Sequence, residues 1–159
     1  MYEGLLGLHS LFRWVILIFL IINIARGLVE ADAPYSEDDK KWSTRLMIAG
    51  HFNLLIGLFQ YFFGPKGFVY FDTYTIDMIM KDSVMRFWAV EHISGMILAV
   101  ILITIGRSVY KKDISDQQKH KRQTVLFFVA LLVILAVIPW PFRPGFEGTP
   151  WFRGLSSGV

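Results

Sequence analysis

Four histidines and one glutamate carry most of the chemistry open to this chain: His9, His51, His92, His120 and Glu91. Imidazole is the side chain best suited to hold a metal or move a proton near neutral pH. Each histidine belongs to, or just precedes, a different apolar stretch. Glu91 and His92 stand side by side in WAVEHISGMI, residues 88–97, and no further charge follows until Arg107. A stranded charge in such a stretch costs several kcal/mol, so groups placed there usually have a task. Other chemistries find little support. There is no H-E-x-x-H, no glycine-rich phosphate loop and no nucleophile elbow. The chain has no cysteine, which excludes disulfides, cysteine-ligated iron–sulfur clusters and a C-x-x-C-H haem attachment site.

The elements that must position these groups are membrane spans. Of 159 residues, 54% are hydrophobic and 18% charged, against roughly 45–50% and about 25% in soluble domains. Mean hydropathy is +0.47. Four stretches are long and apolar enough to cross a bilayer, about 5–28, 46–63, 84–106 and 120–139. The fourth needs its helix to begin inside the basic run ahead of it. The expected fold is all-α: one domain over 1–159, an up-down-up-down four-helix bundle in the membrane. The start, MYEG, has no basic region, and Arg13 interrupts the first apolar stretch, so that stretch is expected to be retained and not cleaved as a signal peptide.

Connector 29–45 is polar, with Ser43 or Thr44 as the expected cap of the second helix. Connector 107–122 is strongly basic. Residues 66–83 alternate apolar and polar groups and are expected to lie in the interface, with a short amphipathic helix from Thr75. Six basic residues (Arg13, Lys66, Lys81, Arg86, Arg143, Arg153) fall on the side of the termini. The other ten, from Arg26 to Arg122, fall on the side of the two connectors. Positive charge favours the cytoplasm, so both termini are expected in the periplasm. Basic residues that cluster beside apolar spans suit the lipid bilayer surface and not nucleic acid.

In this threading His9 and His92 share the outer half of the membrane, and His51 and His120 the inner side. From the segment starts His9 is roughly 6 Å deep, His51 about 7 Å and His92 about 12 Å. Opposed imidazoles are what b-type haem needs, since its iron has two axial positions on opposite faces of a flat ring. One haem b is expected at His9/His92, and a second is open at His51/His120. The metal ligands of this reading are therefore His9, His92, His51 and His120. Arg13, four residues after His9, and Arg86, near the outer surface, are candidate propionate partners. Gly95, three residues after His92, lets a ring approach closely, and Gly50 and Gly57, which flank His51, serve similarly; close helix packing is the competing expectation for all three. The competing expectation for the buried charges is an Arg13–Glu91 ion pair.

LHSLFRW, GHFNLLIGLFQYF, MKDSVMRFWAVEHISGMILAVILITIGR, KHKR and IPWPFR together resemble a family of short four-span bacterial membrane proteins often labelled cytochrome b. The resemblance covers nearly the whole chain, and its matching positions are His9, Arg13, His51, Arg86, Glu91, His92 and His120. A looser similarity is to bacterial b561-type cytochromes, with four spans and histidines placed for two haems. The resemblance implies electron transfer in the bacterial inner membrane, with a quinol or a larger respiratory complex as the redox partner. The alternative expectation is a haem-free accessory subunit of a larger inner-membrane complex.

Overall fold

A computed structural model describes residues 2–152. Met1, Arg153 and Val159, which enter the orientation argument, lie outside the described residues. The described residues form helices joined by turns: α1 (Tyr2–Val29), α2 (Glu37–Phe63), α3 (Val69–Thr73), α4 (Ile76–Lys81), α5 (Ser83–Arg86), α6 (His92–Ser108) and α7 (Asp116–Val137). A π-helical turn, Phe87–Glu91, joins α5 to α6, and a 3₁₀ turn, Val109–Lys111, ends α6. The run Ser83–Lys111 is thus one rod, and with α1, α2 and α7 it makes four helices long and apolar enough to span a membrane.

Helix starts follow local chemistry. α2 begins seven residues or more ahead of the expected cap at Ser43 or Thr44. Ser36 caps it instead: its hydroxyl accepts from the Asp39 N–H, and the Asp39 carboxylate accepts from the Ser36 N–H at 2.8 Å. This reciprocal pair satisfies two of the donors that a helix start leaves orphaned. Ser43 is buried within the helix and donates to the Asp39 carbonyl. α7 begins at Asp116 with Ser115 as its cap, inside the basic run, as its short apolar stretch requires. The interfacial segment 66–83 forms two short helices. Thr75 caps the second, and only Ile79 of that helix is buried.

α1 packs on α2 and α7, and α6 packs on the same two. The order around the bundle is therefore α1, α2, α6, α7, with α1 and α6 on one diagonal. The middle of the bundle is apolar throughout: Leu20, Leu46, Ala49, Ile103, Phe127 and Ala130 are each at most 5% exposed. Bilayer lipid offers no hydrophobic drive for helix association, so close packing must hold the contacts. Gly106 is the clearest case. A methyl group there would lie 2.5 Å from Cε1 of Phe127, whose ring is fully buried. Gly106→Ala is expected to lower stability by about 1–3 kcal/mol through overpacking, read as a drop in the detergent unfolding midpoint. Gly4→Ala, whose added methyl would touch nothing within 4 Å, should leave that midpoint unmoved or slightly raised.

Candidate functional site

The half of the bundle nearer Tyr2 holds a cavity of about 300 Å³ between α1, α2 and α6. It runs from Tyr2 and Lys66 at that end to Ile16, Gly50 and Ile103 near the middle. α2 presents one stripe to it: Gly50, Asn53, Gly57 and Gln60, at the three- and four-residue steps of a helix face. The sequence reading takes Gly50 and Gly57, which flank His51, as places for ring approach or helix packing, and Asn53 and Gln60 as interhelical hydrogen-bond partners. Asn53 is 8% exposed, and neither its Oδ1 nor the Nε2 of Gln60 has a hydrogen-bond partner among the described residues.

His9 and His92 meet at this cavity from the two diagonal helices. Their ring centres are 6.3 Å apart and the planes are inclined at 66°. Two imidazoles on opposite faces of one metal ion hold their ring centres about 6 Å apart: a metal–nitrogen bond of ~2 Å plus ~1 Å to each ring centre. The observed spacing matches that arrangement. Gly57 lets α2 approach His9, since a methyl group there would lie 3.1 Å from the ring's Cε1.

The local structure also fixes which nitrogen of His92 is available. Nδ1 stands 2.7 Å from the carbonyl oxygen of Val137, the last residue of α7. A carbonyl only accepts, so Nδ1 carries the hydrogen and donates it, and in the neutral ring the lone pair is on Nε2. A hydrogen bond of this kind from the far ring nitrogen orients a metal-ligating histidine. The same contact satisfies one of the carbonyls that the end of α7 leaves orphaned. The π-turn just ahead sets this direction, with the His92 N–H bonded five residues back to the Phe87 carbonyl. Such single π-turns recur at functional sites.

Glu91 is answered differently from expectation. It pairs with Arg86 at 2.7 Å and Arg143 at 3.3 Å, and the expected Arg13–Glu91 pair is not formed. Arg13 instead donates to the Ser10 hydroxyl and to the Trp151 carbonyl in the C-terminal segment. Arg86, placed as a propionate partner, is engaged by Glu91 and the Met80 carbonyl and does not line the cavity. Lys66 and Arg13 are the cations that do. Gly95 faces α7: a methyl group there would lie 2.6 Å from Val137 Cγ1, so its smallness serves helix packing and not ring approach.

The inner histidines are not brought together. His51 is on the outer surface of α2, its Nδ1 2.9 Å from the Met47 carbonyl and its Nε2 3.5 Å from Thr104 Oγ1 of α6. His120 is 1% exposed and packs against Tyr35, ring centres 5.1 Å apart. Gly106 packs on Phe127, so in this antiparallel pair Thr104 is level with residue 129 or so of α7. That is about nine residues, roughly 13 Å, from His120. His120 belongs instead to a polar cluster at the inner end of the bundle. There Arg26 meets Asp39 at 3.0 Å, and Gln123 donates to the Tyr35 hydroxyl at 2.9 Å. Burial holds the Tyr35 phenol above its ordinary pKa, so it keeps its proton at physiological pH.

Among the described residues no group of three or more histidine, cysteine or acidic side chains could hold a bare metal ion. The imidazoles of His9 and His92 line a largely apolar cavity together. Fold and site together define the class: a four-span helical membrane protein with a histidine-faced cavity in one half. Comparison with protein families, with curated proteins and with solved structures returned no match.

Proposed function

We propose that this chain is a b-type cytochrome-like electron-transfer protein of the bacterial inner membrane, holding one haem b between His9 and His92. The observation that carries this reading is the 6.3 Å opposition of the two rings across the cavity, with the free nitrogen of His92 turned away from α7. When bound, haem supplies a one-electron iron couple. His92 is held in its ligating tautomer by Val137, and Gly57 lets α2 close on His9. Arg13 and Lys66 put positive charge where propionates need it, while Asn53 and Gln60 offer further polar contacts. The apolar side chains of the lining would keep water from a bound group. His51 and His120 lie too far apart to share a second haem. The electron partner is a quinol in the bilayer or a subunit of a larger respiratory complex.

The test is the reduced-minus-oxidised spectrum of protein purified from cells supplied with ample haem. A paired-imidazole b-type spectrum is expected. Colourless protein would favour the second reading, a haem-free accessory subunit. That reading draws support from Glu91 and His92 having protein partners of their own, in Arg86, Arg143 and the Val137 carbonyl.

Ten of the sixteen basic residues fall on the connector side, which favours the cytoplasm for that side and the periplasm for both termini. Reporter fusions at Asp38 and Ser115 should behave as cytoplasmic. Periplasmic activity there would reverse the orientation and leave the four spans intact.

A further inference from the structure

At the other end of the bundle an open cleft of about 520 Å³ lies between α2 and the end of α6. Its charged residues are Lys40, Lys41, Arg45 and Arg107 against Glu37, four positive and one negative. The lysines have acidic partners, Lys40 with Glu37 and Lys41 with Asp38. No carboxylate is within ion-pair distance of either arginine among the described residues. Arg107 is held in place: its Nε donates to Thr44 Oγ1 at 3.2 Å, and its guanidinium lies 4.1 Å from the Tyr110 ring centre. Arg45 stacks on Trp42 at 4.8 Å. Two guanidiniums, one from each of two helices, line the cleft and are suited to the oxygens of a phosphate.

The position of the cleft says which phosphate. It lies where the apolar spans begin, lined by Tyr110, an aromatic type that marks the membrane–water interface. Directly below it the outer faces of α2 and α6 are apolar and exposed, with Ile48 at 60%, Ile101 at 49% and Ile105 at 45%. His51 lies on this face six residues below Arg45, about 9 Å. A phosphate bound in the cleft with acyl chains laid along these residues has the chemistry of a phospholipid. We infer that the Arg45–Arg107 cleft is a binding site for the phosphodiester headgroup of an anionic phospholipid in the leaflet on that side of the membrane. Basic pockets between spanning helices are a known mode of headgroup recognition. The site is independent of the histidine cavity, at the opposite end of the bundle.

The experiment is native mass spectrometry of the intact protein released from mixed phosphatidylglycerol and phosphatidylcholine bilayers. Wild-type protein should retain phosphatidylglycerol selectively, and Arg45→Gln with Arg107→Gln should cut that selectivity by roughly 30-fold, about tenfold per 1.4 kcal/mol for two interfacial charges. Lys121→Gln with Arg122→Gln removes the same charge from an exposed part of α7 and should leave selectivity in place. Equal loss in both pairs would mean general surface attraction and overturn the site. Loss of the retained lipid on adding excess inorganic phosphate would overturn the lipid assignment. Should the arginine pair fail to fold, wild-type protein showing no preference for phosphatidylglycerol would itself sink the inference.

Discussion

His92→Ala is expected to remove nearly all haem absorbance, with affinity reduced by more than about 100-fold. Loss of the group that hydrogen-bonds a ligating side chain typically costs about 10–100-fold at a metal site, and this change removes a ligand outright. It also leaves the Val137 carbonyl at the end of α7 without its donor, so some loss of stability will accompany it. His9→Ala separates the two effects, because His9 is on α1 and makes no bond to the end of α7. Both variants should lose the spectrum, whereas His51→Ala, on the outer surface of α2, should keep it. His120→Ala should unsettle the inner cluster and spare the haem. A spectrum that survives His92→Ala, or that disappears with His51→Ala, would remove the basis for a haem at the outer pair.

Glu91→Gln is expected to lower stability by about 1–2 kcal/mol. Breaking a fully buried pair costs roughly 3–5 kcal/mol, but this carboxylate and its partners are about one-third exposed, and solvent screens them. The loss has a definite address. Arg143 lies over the Phe87 ring at 4.6 Å and donates to the Ala136 carbonyl, so Glu91 pins the segment after α7 to the π-turn. In a double-mutant cycle Glu91→Gln should couple with Arg143→Gln, the pair costing less than the sum. With Arg13→Gln it should be additive within about 0.5 kcal/mol. Strong coupling to Arg13 and none to Arg143 would show that the observed pairing does not govern stability.

The number and order of the spans were legible because apolar runs of bilayer length leave few alternatives. The true start of α2 was not, because EDDKKWSTR is polar all round and carries no core-facing stripe. That helix emerges from the membrane and is held by the Ser36–Asp39 capping pair. The opposition of His9 and His92 followed from depth and threading alone, and both do line one cavity. The partner of Glu91 was hidden by the π-turn. Residues five apart lie on different faces of an α-helix, where pairs form at three or four. The wider turn at Phe87–Glu91 brings Arg86 round to Glu91, and nothing in FWAVE announces it. The same-face argument for Gly95 and His92 was sound in geometry but gave the wrong neighbour, since both meet Val137 of α7.

The apolar layer of Leu20, Leu46, Ala49, Ile103, Phe127 and Ala130 separates the histidine cavity from the polar cluster around Asp39 and Gln123. Such a layer is an electrical insulator. A membrane voltage falls mainly where permittivity is lowest, and carrying one elementary charge through the full drop involves about 2.3 kcal/mol per 100 mV. In the proposed reading, a charge exchanged at His9 and His92 would arrive and depart on one side of that drop. It would then do no work with or against the membrane potential. The six side chains of the layer carry no polar group, so they offer no relay by which a proton could follow an electron across. A redox group at this place would serve as a switchyard within one leaflet, and its turnover should be indifferent to the voltage across the bilayer.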